Sequence, residues 1–500
     1  MSGLLSILNL PFVLFVFLGS VLGLFVGAIP GLSVSMATAL LVSITYTWET
    51  TNAIGTIMGL YVVGVFSGAL SAILINIPGT PSSLMSTLDG YPMAKKGEAY
   101  RALYHAAIAS FVGSIVGLFF LWGLAEPVSN VALQFSPMDY FLIAFFGLTT
   151  VGGLTAKNMT KGLLSACIGL LVSLVGLDPL VGSPRLTFGN VYLAAGIGTV
   201  PVLIGIFGFA EILSVISDRN VTEMVTTMKR QRTRLMESLR HWRILLYGSV
   251  LGAFIGALPG VGSPVASLLS YNQVKRMTKK PAVPFGEGAV EGILASETAN
   301  NGVIGGALIP MLTLAVPGDA VTAIILSVFY IHGLRPGPLF LSESPEMFAA
   351  ILVGGFLGCL FILLLGLFVA PYISKIILIP KRILFPIITV LCVVGSYAYN
   401  NSLFDVAVMF IFGIVGFVMR KRDYPVGPLI LGLVLGGMMD SQLRTAVSLA
   451  SSADHPLSYM FSRPITIVLT IITVLSLITN TALFKRVAGS VFRRTGSVAG

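Results

Sequence analysis

Charge is what this chain is short of. Only 10% of its 500 residues are Asp, Glu, Lys or Arg, against about a quarter in a soluble domain. With 55% hydrophobic residues and a mean hydropathy of +0.94, it cannot clothe itself for water, and it reads as an integral membrane protein. No polar stretch between its apolar runs is long enough for a soluble domain. The residues Met1 to Ser20 carry no charge, which excludes the positive n-region of a cleavable signal and makes this stretch the expected first membrane segment. The three cysteines (Cys167, Cys359, Cys392) sit inside apolar runs at no ligand spacing; they read as small hydrophobic fillers, not metal ligands or disulfides. The four histidines (His105, His241, His332, His455) likewise show no metal-ligand spacing. A net charge of +10 raises nucleic acid as a partner, but the lysines and arginines lie in short loops between apolar runs. That is the positive-inside pattern of membrane orientation, and it argues against nucleic acid.

What is present is a repeat. VLGLFVGAIPGLSVSMATALL (Val21 to Leu41) and VLGAFIGALPGVGSPVASLLS (Val250 to Ser270) align without gaps at an offset of 229 and share ten of twenty-one residues. A second pair follows in the same order, GALSAILINIPGT (Gly68 to Thr80) and GALIPMLTLAVPGD (Gly306 to Asp319). The Asn158 region resembles that of Asn400 and Asn401 more loosely. The chain therefore divides into a first repeat (1–217), a linker (218–243) and a second repeat with a final membrane helix and basic tail (244–500). The linker carries seven Lys or Arg residues and is expected in the cytoplasm as a solvated or interfacial helix.

Loop charges set the relative orientation of the repeats. Lys275, Arg276, Lys279 and Lys280 follow the second repeat's first Pro-Gly, while the counterpart loop near Ser43 to Asn52 has no basic residue. After the other Pro-Gly the bias flips. The first repeat has Lys95, Lys96 and Arg101, whereas the second has Arg335 among Glu343 and Glu346. Farther along, Lys375, Lys381 and Arg382 oppose a stretch without basic residues around Ser129 to Asp139, and Arg420-Lys421-Arg422 oppose Asp178 and a single Arg185. Corresponding loops fall on opposite faces, so inverted repeats are expected. The expected fold is an all-α polytopic membrane protein of two inverted-topology repeats with about 11–12 membrane segments. Each repeat would hold a re-entrant-type hairpin and a broken transmembrane helix. The tail with Lys485, Arg486, Arg493 and Arg494 puts the C-terminus in the cytoplasm and the N-terminus in the periplasm.

Pro-Gly inside an apolar run removes a backbone donor and lets the chain turn sharply. The freed backbone groups are tolerated in a bilayer only where they face protein or a wet cavity. Matched breaks in an inverted duplication therefore point to a secondary transporter with its site near the midplane. The positive ends of the restarted helices favour an anion. The residues at those starts are small or hydroxylated: Gly31, Ser33 and Ser35; Gly79, Thr80 and Ser82; Gly260, Gly262 and Ser263; Gly318 and Asp319. They form the candidate substrate site for a carboxylate, with Asp319 alternatively serving to stabilise its own helix N-terminus. At the other helix ends, freed carbonyls such as that of Pro317 and the side chains of Asn76, Asn300 or Asn301 would coordinate Na⁺. Asn300 and Asn301 are read equally well as helix caps. Glu287 and Glu291 adjoin a basic loop and read as solvated carboxylates; Glu297 lies nearer the apolar run, where a buried acid is costly. Lys96 and Arg101 read as orientation anchors.

Several motifs carry a resemblance: GxxxGxxPG at Gly23–Gly31 and again at Gly252–Gly260, NIPGTP at Asn76–Pro81, LDGYPMAKKG at Leu88–Gly97, FGEGAVEGILASETANN at Phe285–Asn301, LTLAVPGDAVTA at Leu312–Ala323 and IHGLRPGP at Ile331–Pro338. In these, in order and across both halves, the chain resembles the large membrane subunit of tripartite tricarboxylate transporters. The resemblance implies a bacterial inner-membrane importer of carboxylate anions driven by Na⁺ or H⁺, with no other cofactor. It also implies a small membrane subunit and a periplasmic solute-binding protein as partners. The first repeat departs from the family pattern, reading PGLSVS where PGLGP is expected, with Ser33 and Val34 in place of glycine and proline. Tricarboxylate specificity therefore does not transfer with the family, whose members handle di- and tricarboxylates and aromatic acids. The rival readings are an anion or water channel, which needs no coupling ion, and an intramembrane serine hydrolase using Ser33 or Ser263, for which no histidine is placed to act as base.

Overall fold

The computed structural model describes residues 7–29, 32–154, 159–178, 181–217, 235–369, 372, 381–452 and 454–480. Gly31, Asn158, most of the expected linker (218–234), Lys375 and the basic tail beyond residue 480 lie outside the described residues. The all-α polytopic expectation holds. Among the described residues, six helices are long and apolar enough to cross a membrane and seven more apolar helices are shorter. The strands described are one two-residue pair, Gly176–Leu177 with Pro184–Arg185.

The first half runs α1 (Leu10–Ala28), α2 (Val34–Ile44), α3 (Thr50–Ile75), a tight turn at Pro81–Ser83, α4 (Leu84–Lys95), α5 (Ala99–Ala132), α6 (Pro137–Leu154) and α7 (Met159–Ser173). It closes with α8 (Thr199–Leu203), which continues through a wide-turn segment (Ile204–Phe209) into Ala210–Ser217. The second half runs α9 (Trp242–Ala257), α10 (Gly262–Met277), α11 (Val290–Leu314), α12 (Ala320–Ile331), α13 (Pro345–Phe368), α14 (Lys381–Asn400), α15 (Leu403–Lys421), α16 (Val426–Ser451) and α17 (Pro464–Asn480). Each expected Pro-Gly interruption among the described residues falls between helices: α3 stops before Pro78-Gly79, α9 before Pro259-Gly260 and α11 before Pro317-Gly318.

The chain forms two compact units, each drawing on both halves. One comprises 1–130 and 198–418, the other 131–197 and 419–500. The first holds all four interruptions. Its centre is the pair α3 and α11, both buried nearly end to end, α3 being apolar nearly all round and α11 carrying Glu291, Glu297, Asn300 and Asn301 into the interior. Glycine lets the hairpin arms reach them. Gly19, Gly23 and Gly27 of α1 lie at four-residue spacing against the backbone of Thr56, Leu60 and Gly64 on α3. In α9, Gly248, Gly252 and Gly256 meet Ala295, Ala299 and Val303 on α11 in the same way. A Cβ at most of these positions would collide with a carbonyl oxygen. In lipid, where burying apolar surface adds no drive between helices, such close backbone contact is what holds them. The two halves thus repeat one packing.

The second unit is built separately, from α6, α7, α16 and α17. There Arg185 pairs with Asp178 and Asp440 (2.9 Å), and Arg444 pairs with Asp178 (2.7 Å) and Asp440 (3.1 Å). This network ties the strand pair to α16.

One carboxylate from the first half anchors α11 of the second. Asp89 of α4 is fully buried. Its Oδ1 accepts the backbone N–H groups of Gly286 (2.8 Å), Gly288 (3.0 Å) and Ala289 (2.8 Å), and its Oδ2 accepts the Tyr271 hydroxyl (2.8 Å). Gly286 and Gly288 sit at φ +93° and +113°, a backbone region that favours glycine. The turn therefore aims three donors at one anion just ahead of a helix start. Replacing Asp89 by Ala should destabilise the protein by about 3 kcal/mol or more, because three buried donors lose a charged acceptor. Asp89→Asn should cost less. Melting of the detergent-purified variants checks this; an Asp89→Ala protein melting like the wild type would show that α11 is anchored elsewhere.

Candidate functional site

The two broken helices end alike. Asn76 closes α3 at φ +57° and Ala315 closes α11 at φ +56°. These left-handed positions cost a non-glycine residue about 1 kcal/mol or more, so the surroundings hold them. The next residues lead through Pro-Gly to an extended residue, Thr80 or Asp319, before the chain coils again. Gly79 packs against the Gly27 carbonyl and Gly318 against that of Gly256, so each broken helix turns over the end of its own hairpin arm. In the second half a hydrogen bond also joins the two Pro-Gly turns, Gly260 N–H to Gly318 O at 2.8 Å.

The restarted helices then cross between halves. α2 packs on α12, and α10 packs on the Pro81–Ser83 turn and α4. The starts of four helices are thereby gathered within one compact unit. The local chemistry differs at each. Ser33 has an extended backbone, and its hydroxyl accepts the Met36 N–H at 3.0 Å. Its counterpart Gly262 takes φ +69°, which serine would adopt only under strain. The departure Ser33-Val34 thus exchanges an open glycine start for a capped one, with Val34 buried against Gly64. Ser35 is half-buried. Thr80 and Ser82 are buried, and the Thr80 hydroxyl lies 3.0 Å from that of Ser82 and 2.9 Å from that of Ser83. Ser263 is buried one residue beyond Gly262.

At the fourth start Asp319 forms a capping box. Its Oδ1 accepts the Thr322 N–H at 2.8 Å, and the Thr322 hydroxyl accepts the Asp319 N–H at 2.9 Å. Oδ2 accepts the hydroxyl of the fully buried Tyr61, from α3, at 2.7 Å. The cap reading of Asp319 is realised, with its carboxylate engaged on both oxygens.

The other sequence candidates scatter. Asn76 is exposed and Pro317 buried, each at its helix end. Asn300 and Asn301 lie fully buried in the interior of α11, not at an end where they would cap. Their Oδ1 atoms have no hydrogen-bond partner among the described residues, and buried oxygens in that condition fit a hard cation. Glu287 is exposed, whereas Glu291 is buried in the first turn of α11 and Glu297 is fully buried. Lys96 does more than mark orientation, donating to the Glu287 carbonyl at 2.8 Å. Arg101 pairs with Glu98 (2.6 Å) and Glu237. Beside that pair, His105 Nδ1 lies 2.7 Å from Ser238 Oγ, both residues fully buried. Although burial opposes it, hydrogen bonding to Arg101 and the Arg101 charge hold the Glu237 carboxyl below its ordinary range. That contribution is present at neutral pH and is lost as pH falls through the carboxylate range.

Tyr61 and Asp89 were not legible as site residues. Tyr61 lies in an apolar run, Asp89 in a short polar island, and both meet partners more than 180 residues away.

Paired broken helices, buried together and restarting against one another, define a polytopic membrane protein built on discontinuous helices. More particularly, the chain belongs to the tripartite tricarboxylate transporter TctA family, which it matches over residues 13–431, and so is the large membrane subunit of such a transporter. It is 35% identical over 438 residues, 87% of each chain, to an uncharacterized 52.8 kDa protein in the TAR-I ttuC' 3'region of Agrobacterium vitis. A second relative, an uncharacterized protein in the TAR-II ttuC' 3'region of the same organism, is 38% identical over 196 residues. That match covers 39% of this chain and 81% of the relative. No solved structure matches the chain.

Tyr61→Phe tests the tie between α3 and the fourth helix start. It deletes one buried hydrogen bond to a charged group and leaves the capping box intact, so the expected loss is about 1.5–3 kcal/mol. Chemical unfolding in detergent reads it, and an unchanged midpoint would show that the Asp319 carboxylate does not depend on Tyr61.

Proposed function

We propose that this subunit imports a carboxylate anion by secondary active, cation-coupled transport. The observation that carries the reading is the gathering of four helix starts in one compact unit. Each start presents backbone N–H groups and a positive dipole end, the arrangement that receives an anion without a basic side chain. Gly31, Ser33 and Ser35 would approach the substrate from the first start, and Gly79, Thr80 and Ser82 from the second. Gly260, Gly262 and Ser263 would serve from the third. Gly318 and Asp319 would contribute backbone at the fourth, since the Asp319 carboxylate is committed to Thr322 and Tyr61. A substrate with several carboxylates could engage more than one start, which suits di- and tricarboxylates.

The coupling ion is Na⁺ or H⁺, with Asn300 and Asn301 best placed for Na⁺ through their buried, unpartnered Oδ1 atoms. Asn76 and the Pro317 carbonyl stand at the ends of the two broken helices. The halves are inverted repeats of an inner-membrane protein with a cytoplasmic C-terminus and a periplasmic N-terminus. The helices holding the four breaks carry the substrate across in an elevator-like, rigid-body movement. A periplasmic solute-binding protein delivers the anion, and a small membrane subunit completes the complex.

Uptake of labelled citrate and of other di-, tri- and aromatic carboxylates into proteoliposomes tests this. The vesicles hold the chain with its small subunit, with and without the binding protein and an inward cation gradient. Uptake that needs both is expected. Gly79→Val, which drives a side chain into the Gly27 carbonyl and Ser71, should reduce it by about tenfold or more. Uptake indifferent to every cation gradient would overturn the symport reading in favour of a channel.

A further inference from the structure

Glu297 sits two turns into α11, fully buried. One carboxylate oxygen accepts the Ser86 hydroxyl and the other the Ser110 hydroxyl at 3.2 Å, while the Asn300 amide lies against the same group. All of these partners are neutral. The elements around it carry Asp89 and Lys95 on α4, Tyr61 on α3, Tyr271, Lys275 and Arg276 on α10, Arg101, His105 and Glu126 on α5, Arg243 on α9, Asp319 on α12 and Glu291 on α11 itself. Of the basic residues, Lys95, Arg243, Lys275 and Arg276 are exposed and Arg101 pairs with Glu98 and Glu237. Asp89 is spent on the start of α11, Tyr61 and Tyr271 on the two aspartates, and His105 on Ser238. None supplies a positive charge to Glu297. An intramembrane acid without a basic partner is costly, and such groups mark ion or proton paths.

The neighbouring oxygens point to what offsets it. Residues three and four apart share a helix face, which puts Asn300 and Asn301 beside Glu297. Their amide nitrogens already have partners: Asn301 Nδ2 donates to Ser114 Oγ at 3.0 Å, and Asn300 Nδ2 lies between the Glu297 carboxyl and the Val65 carbonyl, 3.5 Å from the latter. That leaves both Oδ1 atoms buried and without a donor among the described residues. A carboxylate, two amide oxygens and the serine hydroxyls of α5 make a donor set of oxygen only, with a single negative charge. Such a set suits a hard monovalent cation; softer metals would call for nitrogen or sulfur.

We infer that Glu297, Asn300 and Asn301 seat one sodium ion inside α11, and that this ion couples to transport. The second part rests on the cation-coupled reading above. Its physical route is short. The residues around Glu297 belong to α4, which begins just after the second break, to α5, and to α11, which ends at the fourth break. Asn300 reaches α3, which ends at the second. Seating the ion fixes the helices whose ends would hold the substrate, so ion and anion favour the same arrangement.

The test uses the full chain purified in detergent, followed by thermal melting and by binding of radioactive Na⁺. NaCl is compared with KCl and choline chloride at equal ionic strength. The wild type is expected to gain stability saturably with Na⁺ and not with choline. Glu297→Gln should raise the Na⁺ midpoint by about tenfold or more, with Glu297→Asp between it and the wild type. Asn301→Leu, which keeps the carboxylate, should also weaken Na⁺ binding, and it stands as the test should Glu297→Gln fail to fold. Na⁺ midpoints unchanged in these variants overturn the site, as does wild-type melting that follows pH and ignores Na⁺. Glu297-dependent Na⁺ binding together with uptake indifferent to the Na⁺ gradient overturns the coupling role and leaves the site. The same binding with no carboxylate uptake under any gradient sinks the transport reading instead.

Discussion

The constraint on which the rest of this structure depends is the cost of an unpaired backbone amide in hydrocarbon. An unbroken helix meets it internally. A chain that stops and restarts its helices inside the apolar layer must meet it with other parts of itself, and the packing of the first compact unit does so. The glycines of α1 and α9 bring their backbones onto α3 and α11, so the Pro-Gly turns lie over carbonyls of their own hairpin arms. Asp319 caps α12 from within, and Asp89 receives the start of α11 from the opposite half. The breaks and the close packing are one device.

The same constraint governs the acids. Asp89 and Asp319 both stand at helix starts, where N–H groups and the helix dipole stabilise a negative charge, and each also accepts a buried tyrosine hydroxyl. Glu297 has neither benefit. It lies in a helix interior among hydroxyls and amides, and the unpartnered oxygens of Asn300 and Asn301 stand next to it. Asp89 and Asp319 are satisfied by backbone N–H groups, and Glu297, which is not, lies on one of the helices that end in breaks. Exposed acids such as Glu287 need no such account, because water supplies what the protein does not.

Much of the architecture was legible in the sequence. Pro-Gly within an apolar run forces an interruption wherever the chain folds, and the interruptions fall where the motifs place them. The four-residue glycine spacing of the duplicated motif GxxxGxxPG lines one helix face, and the structure uses it twice, for α1 on α3 and for α9 on α11. Less legible was the state of single polar residues. Asn300 and Asn301 read equally well as caps or ligands, and Glu291 as a solvated carboxylate, because sequence spacing does not say where a helix begins. The start of α11 at Val290 puts the asparagines deep in its interior and Glu291 in its buried first turn. The linker end likewise read as a bare connection, whereas its Glu237 and Ser238 dock on Arg101 and His105.

By itself the sequence determined that this is a membrane protein, that its chain is duplicated and that its helices break at Pro-Gly. Each of these follows from local chemistry: apolar length, repeated spacing, and the absence of a proline N–H. Only the tertiary structure decided which residues meet. Tyr61 finds Asp319 258 residues away, and Ser86 finds Glu297 at a separation of 211. Such pairs are set by how one half packs across the other. A side chain's own sequence neighbourhood carries no record of the helix that will come to lie against it.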